Sequence, residues 1–229
     1  KLLIVGNTGS NNTKEAIKAT QNGFVSGMHA SLQINPYYGR TSHAGVLAHF
    51  NKVLDIGPAF IYNVPGRTGQ DLTPEFIEPL ASHENFIGVK ECAGNERIAY
   101  YENKGIACWS GNDDESFNGR HKFNSHGVIS VTSNILPRLM RKLMDENDPQ
   151  LNESMQDLMK WLFVEPNPIC LNTALMMTNA VPKNFRLPYI AIPKELRQQG
   201  LTLLSQFDSE EITGDSLNLL EDSDFNYTV

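Results

Sequence analysis

Ala59-Phe-Ile-Tyr-Asn-Val-Pro-Gly-Arg-Thr-Gly69 leads through Thr73-Pro-Glu75 into a helical pattern and then to Phe86-Ile-Gly-Val-Lys90. Ala59–Tyr62 is a short apolar run and reads as a strand. Val64-Pro-Gly66 breaks it. Thr73 can cap a helix with Pro74 at its first position, and Pro79 should kink or shorten that helix. Phe86–Val89 is a second apolar run. Two strands joined by a helical crossover form a parallel βαβ unit.

The same unit repeats outward. Leu2–Val5 reads as a buried strand. Asn12-Thr13 can cap a helix that stops at Gly23. Met28–Ile34 reads as a strand, and Val46, Leu47, Phe50, Val53 and Leu54 form one apolar helical face. Ile106–Trp109 and Val128–Val131 are further strands, with a charged helix over 113–123 between them and another helix over 135–144. After residue 150 only helices are expected, over 151–163, 168–178 and 193–207. Six βα units over 1–147 and a helical domain over 148–207 are the predicted organisation. The βα part could be an open doubly wound sheet or part of an eight-stranded barrel. The dinucleotide fingerprint G-x-G-x-x-G is not supplied by Gly6-Asn-Thr-Gly9.

Composition narrows the class. The 229 residues carry 40% hydrophobic side chains and a net charge of −7, and no apolar run approaches the ~18 residues of a membrane span. Seven acids (Asp208, Glu210, Glu211, Asp215, Glu221, Asp222, Asp224) and no Lys or Arg lie in 208–229, so the body is charge-balanced. That distribution does not suit nucleic-acid binding. The tail is expected to be solvated and only partly ordered. Three cysteines without a C-x-x-C fit a reducing compartment, and the six histidines show no zinc spacing.

In parallel α/β folds the chemistry sits at the carboxyl ends of the strands. Lys90 follows the buried run 86–89, and Tyr62 ends its strand in the same way. A desolvated lysine loses proton affinity, so its amine can attack a ketone to form a Schiff base. A nearby tyrosine hydroxyl can move the protons, and Arg67 offers a planar fork for a carboxylate.

The segments IYNVPGRTG (61–69), GVKECAGN (88–95), NPYYGRT (35–41), WSGNDDE (109–115), GVISVTSN (127–134) and EPNP (165–168) resemble the dihydrodipicolinate synthase (4-hydroxy-tetrahydrodipicolinate synthase) family. GNTGSN, WSGNDDE and the acidic extension resemble its plant branch. Gly66 stands where the family usually has Ser. The resemblance implies a TIM (β/α)8 barrel with a C-terminal helical domain and a homotetrameric lyase. The implied reaction condenses pyruvate with aspartate 4-semialdehyde in lysine (diaminopimelate) biosynthesis in the chloroplast, with no cofactor. It implies that Lys90 forms the imine and Tyr62 handles its protons. Tyr38 would complete the relay across a dimer interface, Arg67 would bind the second substrate, and Gly111 and Ile129 would line the pyruvate pocket. Asn11, Glu15 and Tyr37 would bind lysine as feedback inhibitor. A sibling aldolase acting on a sugar acid and a catalytically inactive relative are the alternatives. At about 30 residues per repeat, two βα units of such a barrel, including a Thr-Thr pair, are expected ahead of Leu2. The chain by itself is therefore expected to be N-terminally incomplete and inactive.

Overall fold

Six parallel strands and their connecting helices occupy residues 2–129 of the computed structural model, which describes residues 2–229. In chain order they are β1 (Val5–Asn7), α1 (Thr13–Val25), β2 (Ala30–Ile34), α2 (His43–Leu54), β3 (Ala59–Asn63), α3 (Pro65–Thr68), α4 (Pro74–Leu80), β4 (Phe86–Glu91), α5 (Asn95–Asn103), β5 (Cys108–Ser110), α6 (Asp113–Lys122) and β6 (Gly127–Val128). Each strand pairs with the next in sequence, in the order β1-β2-β3-β4-β5-β6. A doubly wound sheet would reverse direction at a switch point. This sheet does not, so the winding is of the barrel type.

Local chemistry explains the helix ends. Asn12 caps α1, its Oδ1 accepting from Lys14 N at 2.9 Å and Glu15 N at 3.3 Å. Pro79 lies next to the last residue of α4 and has no N–H to offer the Glu75 carbonyl four residues earlier. The His43 ring takes that place, Nε2–H donating to Glu75 O at 2.9 Å. The core of this unit lies between the sheet and α2, α4 and α5. It contains Phe50, Leu54, Ile61, Leu72, Ile77, Val89, Ile98, Tyr101 and Cys108.

Leu2–Val5 does not form the buried strand expected of it. The strand is Val5–Asn7, and Leu2 and Leu3 are 89% and 75% exposed. Among the described residues β1 pairs on one side only, with β2, so nothing in the sheet covers its other side.

Residues 130–229 form a second unit. The boundary falls before the one read after residue 147, because α7 (Pro137–Asp145) packs against the 3-10 turn Thr132–Asn134 of this unit. α8 (Pro149–Trp161), α9 (Ile169–Met177) and α10 (Lys194–Leu204) follow as helices. The unit is not wholly helical, since β7 (Asn184–Arg186) pairs in parallel with β8 (Asn226–Thr228).

The acidic segment is built into this unit, against the expectation of a solvated tail. Leu220 and Phe225 are buried with Met176, Met177 and Phe185. The Arg197 guanidinium is buried, 5.1 Å above the Phe225 ring, and donates to Asp222. Lys194 pairs with Glu221 at 2.7 Å and Arg138 with Glu211 at 3.3 Å. Those exposed pairs are worth little each, so the two apolar anchors hold the segment down. Phe225→Ala should lower the stability of this unit by about 3–5 kcal/mol. Urea unfolding followed by Trp161 fluorescence checks this, and an unchanged midpoint would show the segment to be a passive appendage.

Candidate active site

Strand alternation sorts the ends of β3 and β4 into two rows. Ala59, Ile61 and Asn63, with Val89 and Glu91, are buried. Phe60, Tyr62 and Lys90 belong to the opposite face. The register sets Tyr62 beside Lys90 and Lys90 beside Trp109. Phe60 and Trp109 meet edge to face with ring centroids 4.9 Å apart, and a β-carbon on Gly88 would lie 2.8 Å from the Trp109 ring. Glycine at 88 is what lets the indole lie down beside Lys90. Lys90 and Glu91 fall inside the strand, not after it, because backbone pairing continues beyond the apolar run.

Lys90 Nζ lies 4.2 Å from the centroid of the Tyr62 ring. Burial lowers the lysine's proton affinity; the Cys92 and Asp113 side chains oppose this, and the Arg67 charge adds to it. Burial also raises the Tyr62 hydroxyl, reinforced by the charge of, and hydrogen bonding with, Cys92. The Cys92 thiol is pushed up to about 11, again by burial first. At neutral pH the site therefore holds a protonated phenol, a neutral thiol and an amine whose ammonium form is disfavoured. Arg67 stands exposed on α3, directly after β3. At Gly111 a β-carbon would overlap Cys92 Sγ and lie 3.0 Å from Lys90 Cε, so the backbone after β5 closes on the lysine stem. Ile129 N donates to Ser110 O at 2.9 Å, continuing the ladder past β6.

Two members of this cluster were not read from the sequence. Cys92 follows Lys90 by two residues, and the period of two was the available signal. Asp113 opens α6 and is buried.

The remaining candidates sit elsewhere. Tyr37 and Tyr38 line a cavity of about 260 Å³ with Asn11, Thr13, Arg40 and His49. Tyr38 is 93% exposed and has φ of +70°, with its backbone N–H held by Thr68 O at 3.2 Å. His49 Nδ1 meets Thr13 Oγ1 at 2.9 Å, and burial lowers the proton affinity of its ring. Glu15 is exposed in the first turn of α1 and is not among the residues lining this cavity. No helix of the described residues is long and apolar enough to cross a membrane.

A half-buried lysine near the end of a parallel strand, its amine over the ring of a protonated tyrosine and an arginine nearby, is equipped to capture a carbonyl compound as an imine. The chain matches the dihydrodipicolinate synthetase family over residues 1–207 and belongs to it. It is 52% identical over 226 residues to 4-hydroxy-tetrahydrodipicolinate synthase 2, chloroplastic, of Triticum aestivum (98% of this chain, 60% of that protein). It is 50% identical to the chloroplastic synthase of Nicotiana tabacum, with 98% and 63% covered. The chain thus spans about 60% of the length of these plant relatives. Solved structures are similar too. A chloride-inhibited dihydrodipicolinate synthase from Acinetobacter baumannii complexed with pyruvate aligns at TM-score 0.84 and 30% identity, over 90% of this chain and 75% of that one. The lysine-bound enzyme from Cyanidioschyzon merolae aligns at 0.80 and 29%, with the same coverage.

The sign of the lysine shift has a measurable consequence. A folded-state proton affinity below the unfolded one costs stability wherever the unfolded chain holds the proton, and the cost disappears above the ordinary lysine range. Lys90→Met should therefore raise the urea midpoint at pH 7, and the gain should shrink toward pH 10. A variant less stable than the parent at pH 7 would contradict the desolvation account.

Proposed function

We propose that this chain carries the Schiff-base site of a 4-hydroxy-tetrahydrodipicolinate synthase, condensing pyruvate with aspartate 4-semialdehyde on the route to lysine. The observation that carries the reading is the desolvated Lys90 amine 4.2 Å from the Tyr62 ring. Its neutral nitrogen attacks the pyruvate ketone carbon, and the carbinolamine loses water to give the imine. Removal of a methyl proton gives the enamine, whose carbon adds to the aldehyde of the second substrate. That substrate's own amine then displaces Lys90, closing the ring and restoring the lysine. Tyr62, kept protonated, donates to the departing hydroxyl and takes protons back. Arg67 grips the semialdehyde carboxylate through paired N–H bonds. Gly111 and Ile129 border the pyruvate position. Lys90 is the covalent carrier, so no cofactor is invoked.

The finer readings rest on the same footing. The one-directional strand order, with β1 and β6 at the edges of the described sheet, supports a (β/α)8 barrel of which this sheet is a part. The exposure of Tyr38 supports a role across a subunit interface in a homotetramer. The names of the plant relatives support a chloroplast location. The cavity lined by Asn11 and Tyr37 is read as a lysine site, supported by the lysine-bound relative; Glu15 would have to turn toward it.

In the full-length protein, incubation with pyruvate and borohydride should leave a stable adduct on the peptide containing Lys90. An adduct confined to another lysine would overturn the assignment. In Arg67→Lys the same trapping should persist, while condensation with the semialdehyde falls by about 10–100-fold, the value of a charge-assisted bond lost at 1.5–3 kcal/mol. Calorimetric titration with lysine should show binding that Asn11→Ala and Tyr37→Ala weaken. Flat heats into the millimolar range would remove the feedback site.

A further inference from the structure

The carboxyl group next to the reacting lysine has no part in the mechanism above. Glu91 ends β4 with its side chain on the helix-facing side of the sheet and is 1% exposed. Its Oε1 accepts from Asn63 Nδ2 at 2.8 Å and from Ala93 N at 2.7 Å. Its Oε2 is buried without a hydrogen-bond partner. Asn63 is the register partner of Glu91. The same Nδ2 donates to Asp71 Oδ1 at 2.7 Å, while Asn63 Oδ1 accepts from Leu72 N at 2.9 Å. Arg97 of α5 closes the chain, its Nη2 2.9 Å from Asp71 Oδ2 and its Nη1 3.2 Å from Leu72 O. These bonds join the ends of β3 and β4 to α5 behind the sheet. Every anchor on the strands is one residue from a site group on the opposite face: Asn63 from Tyr62, and Glu91 from both Lys90 and Cys92.

We propose that Glu91 is a positioning residue for the Lys90–Tyr62 pair, acting through Asn63 and the Ala93 amide to hold the two strand ends in register from the back of the sheet. The proposal rests on the Schiff-base reading of Lys90. A carboxylate grips two N–H donors more tightly than a neutral acid does, so the hold strengthens as Glu91 ionises. Burial, countered by the Ala93 and Asn63 bonds and by Arg97, pushes this carboxyl up to about 7, with Asp71 adding to the rise. The other ionisable groups around it are Tyr101 of α5, Cys108 of β5 and Cys92 beyond the strand end. The Arg97 guanidinium pairs directly with Asp71 and acts on Glu91 only as a more distant charge. The change in grip therefore falls in the neutral range.

The test compares the full-length parent protein with its Glu91→Gln variant, which keeps the shape and the acceptor but not the charge. The parent's rate of pyruvate trapping should rise with pH through about 7. Glu91→Gln should lose that step and trap about 10–100-fold more slowly above it, the scale of a small misplacement, while still placing the adduct on Lys90. Asp71→Asn removes a negative neighbour and should move the step to lower pH. A readout independent of reaction is the NMR titration of Lys90 in protein labelled at lysine Cε. A loosened site admits water, so in Glu91→Gln the Lys90 titration should move up while other lysines stay. Parental trapping with an unmoved Lys90 titration would overturn the proposal, as would an Asp71→Asn variant whose step stays in place; the latter also serves if Glu91→Gln does not fold. A parent that traps no pyruvate, but whose Lys90 titration responds to Glu91→Gln, would strike the Schiff-base reading and leave the positioning role standing.

Discussion

The parallel register between β3 and β4 is the constraint on which the site depends. It places Tyr62 against Lys90 on one face and Asn63 against Glu91 on the other. Side chains alternate with a period of two, so a slip of one residue would exchange the faces. What prevents the slip is remote from the chemistry. Ile61 and Val89 are fully buried in the helix-facing core with Leu72, Ile98 and Tyr101, and a slip of either strand would turn its own core residue toward the site. Apolar packing behind the sheet thus determines which polar groups meet in front of it.

The second constraint is loss of water. For Lys90, Tyr62 and Cys92 the largest influence on proton affinity is burial, and neighbouring charges only modify it. A common cause therefore pushes three different groups toward their neutral forms. Such an arrangement opposes folding, and the neutral amine is the form that the proposed reaction requires. Gly88 and Gly111 contribute to it sterically. One admits the Trp109 ring beside Lys90, and the other brings backbone against the lysine stem.

Much of this was legible in the residues. Tyr62 and Lys90 each close an apolar run, and the strand-helix alternation carries the parallel architecture. What escaped did so for identifiable reasons. Hydrophobicity marks where a strand is buried, not where its pairing ends. β4 therefore runs on to Glu91, while β6 stops at Val128, short of its apolar run. α5 has Gly94 before it and no side-chain cap, and buries only Ile98 and Tyr101, so it left no periodic trace. In the acidic segment, Leu220 and Phe225 were outweighed by a charge count. Their burial depends on Met176, Met177 and Phe185, contacts that no local window contains. The Glu91–Asn63–Asp71–Arg97 chain was invisible for the same reason, being a property of register and not of spacing along the chain.

The pairing of β7 with β8 sets an order of events in the second unit. Along the chain α10 and residues 205–225 separate these strands, yet they run parallel and in register from Asn184 with Asn226 to Arg186 with Thr228. A local hairpin cannot make such a pair; the intervening chain must first be looped back. Loop closure of this kind is entropically unfavourable until the apolar contacts of Phe225 and Leu220 form, so it belongs late in folding. α8, α9 and α10 can collapse earlier, leaving the Met176–Phe185 surface uncovered for a time. A chain of this unit in which the helices had collapsed before the strands paired would present an open apolar face and an unpaired strand edge, features that invite proteolysis and self-association.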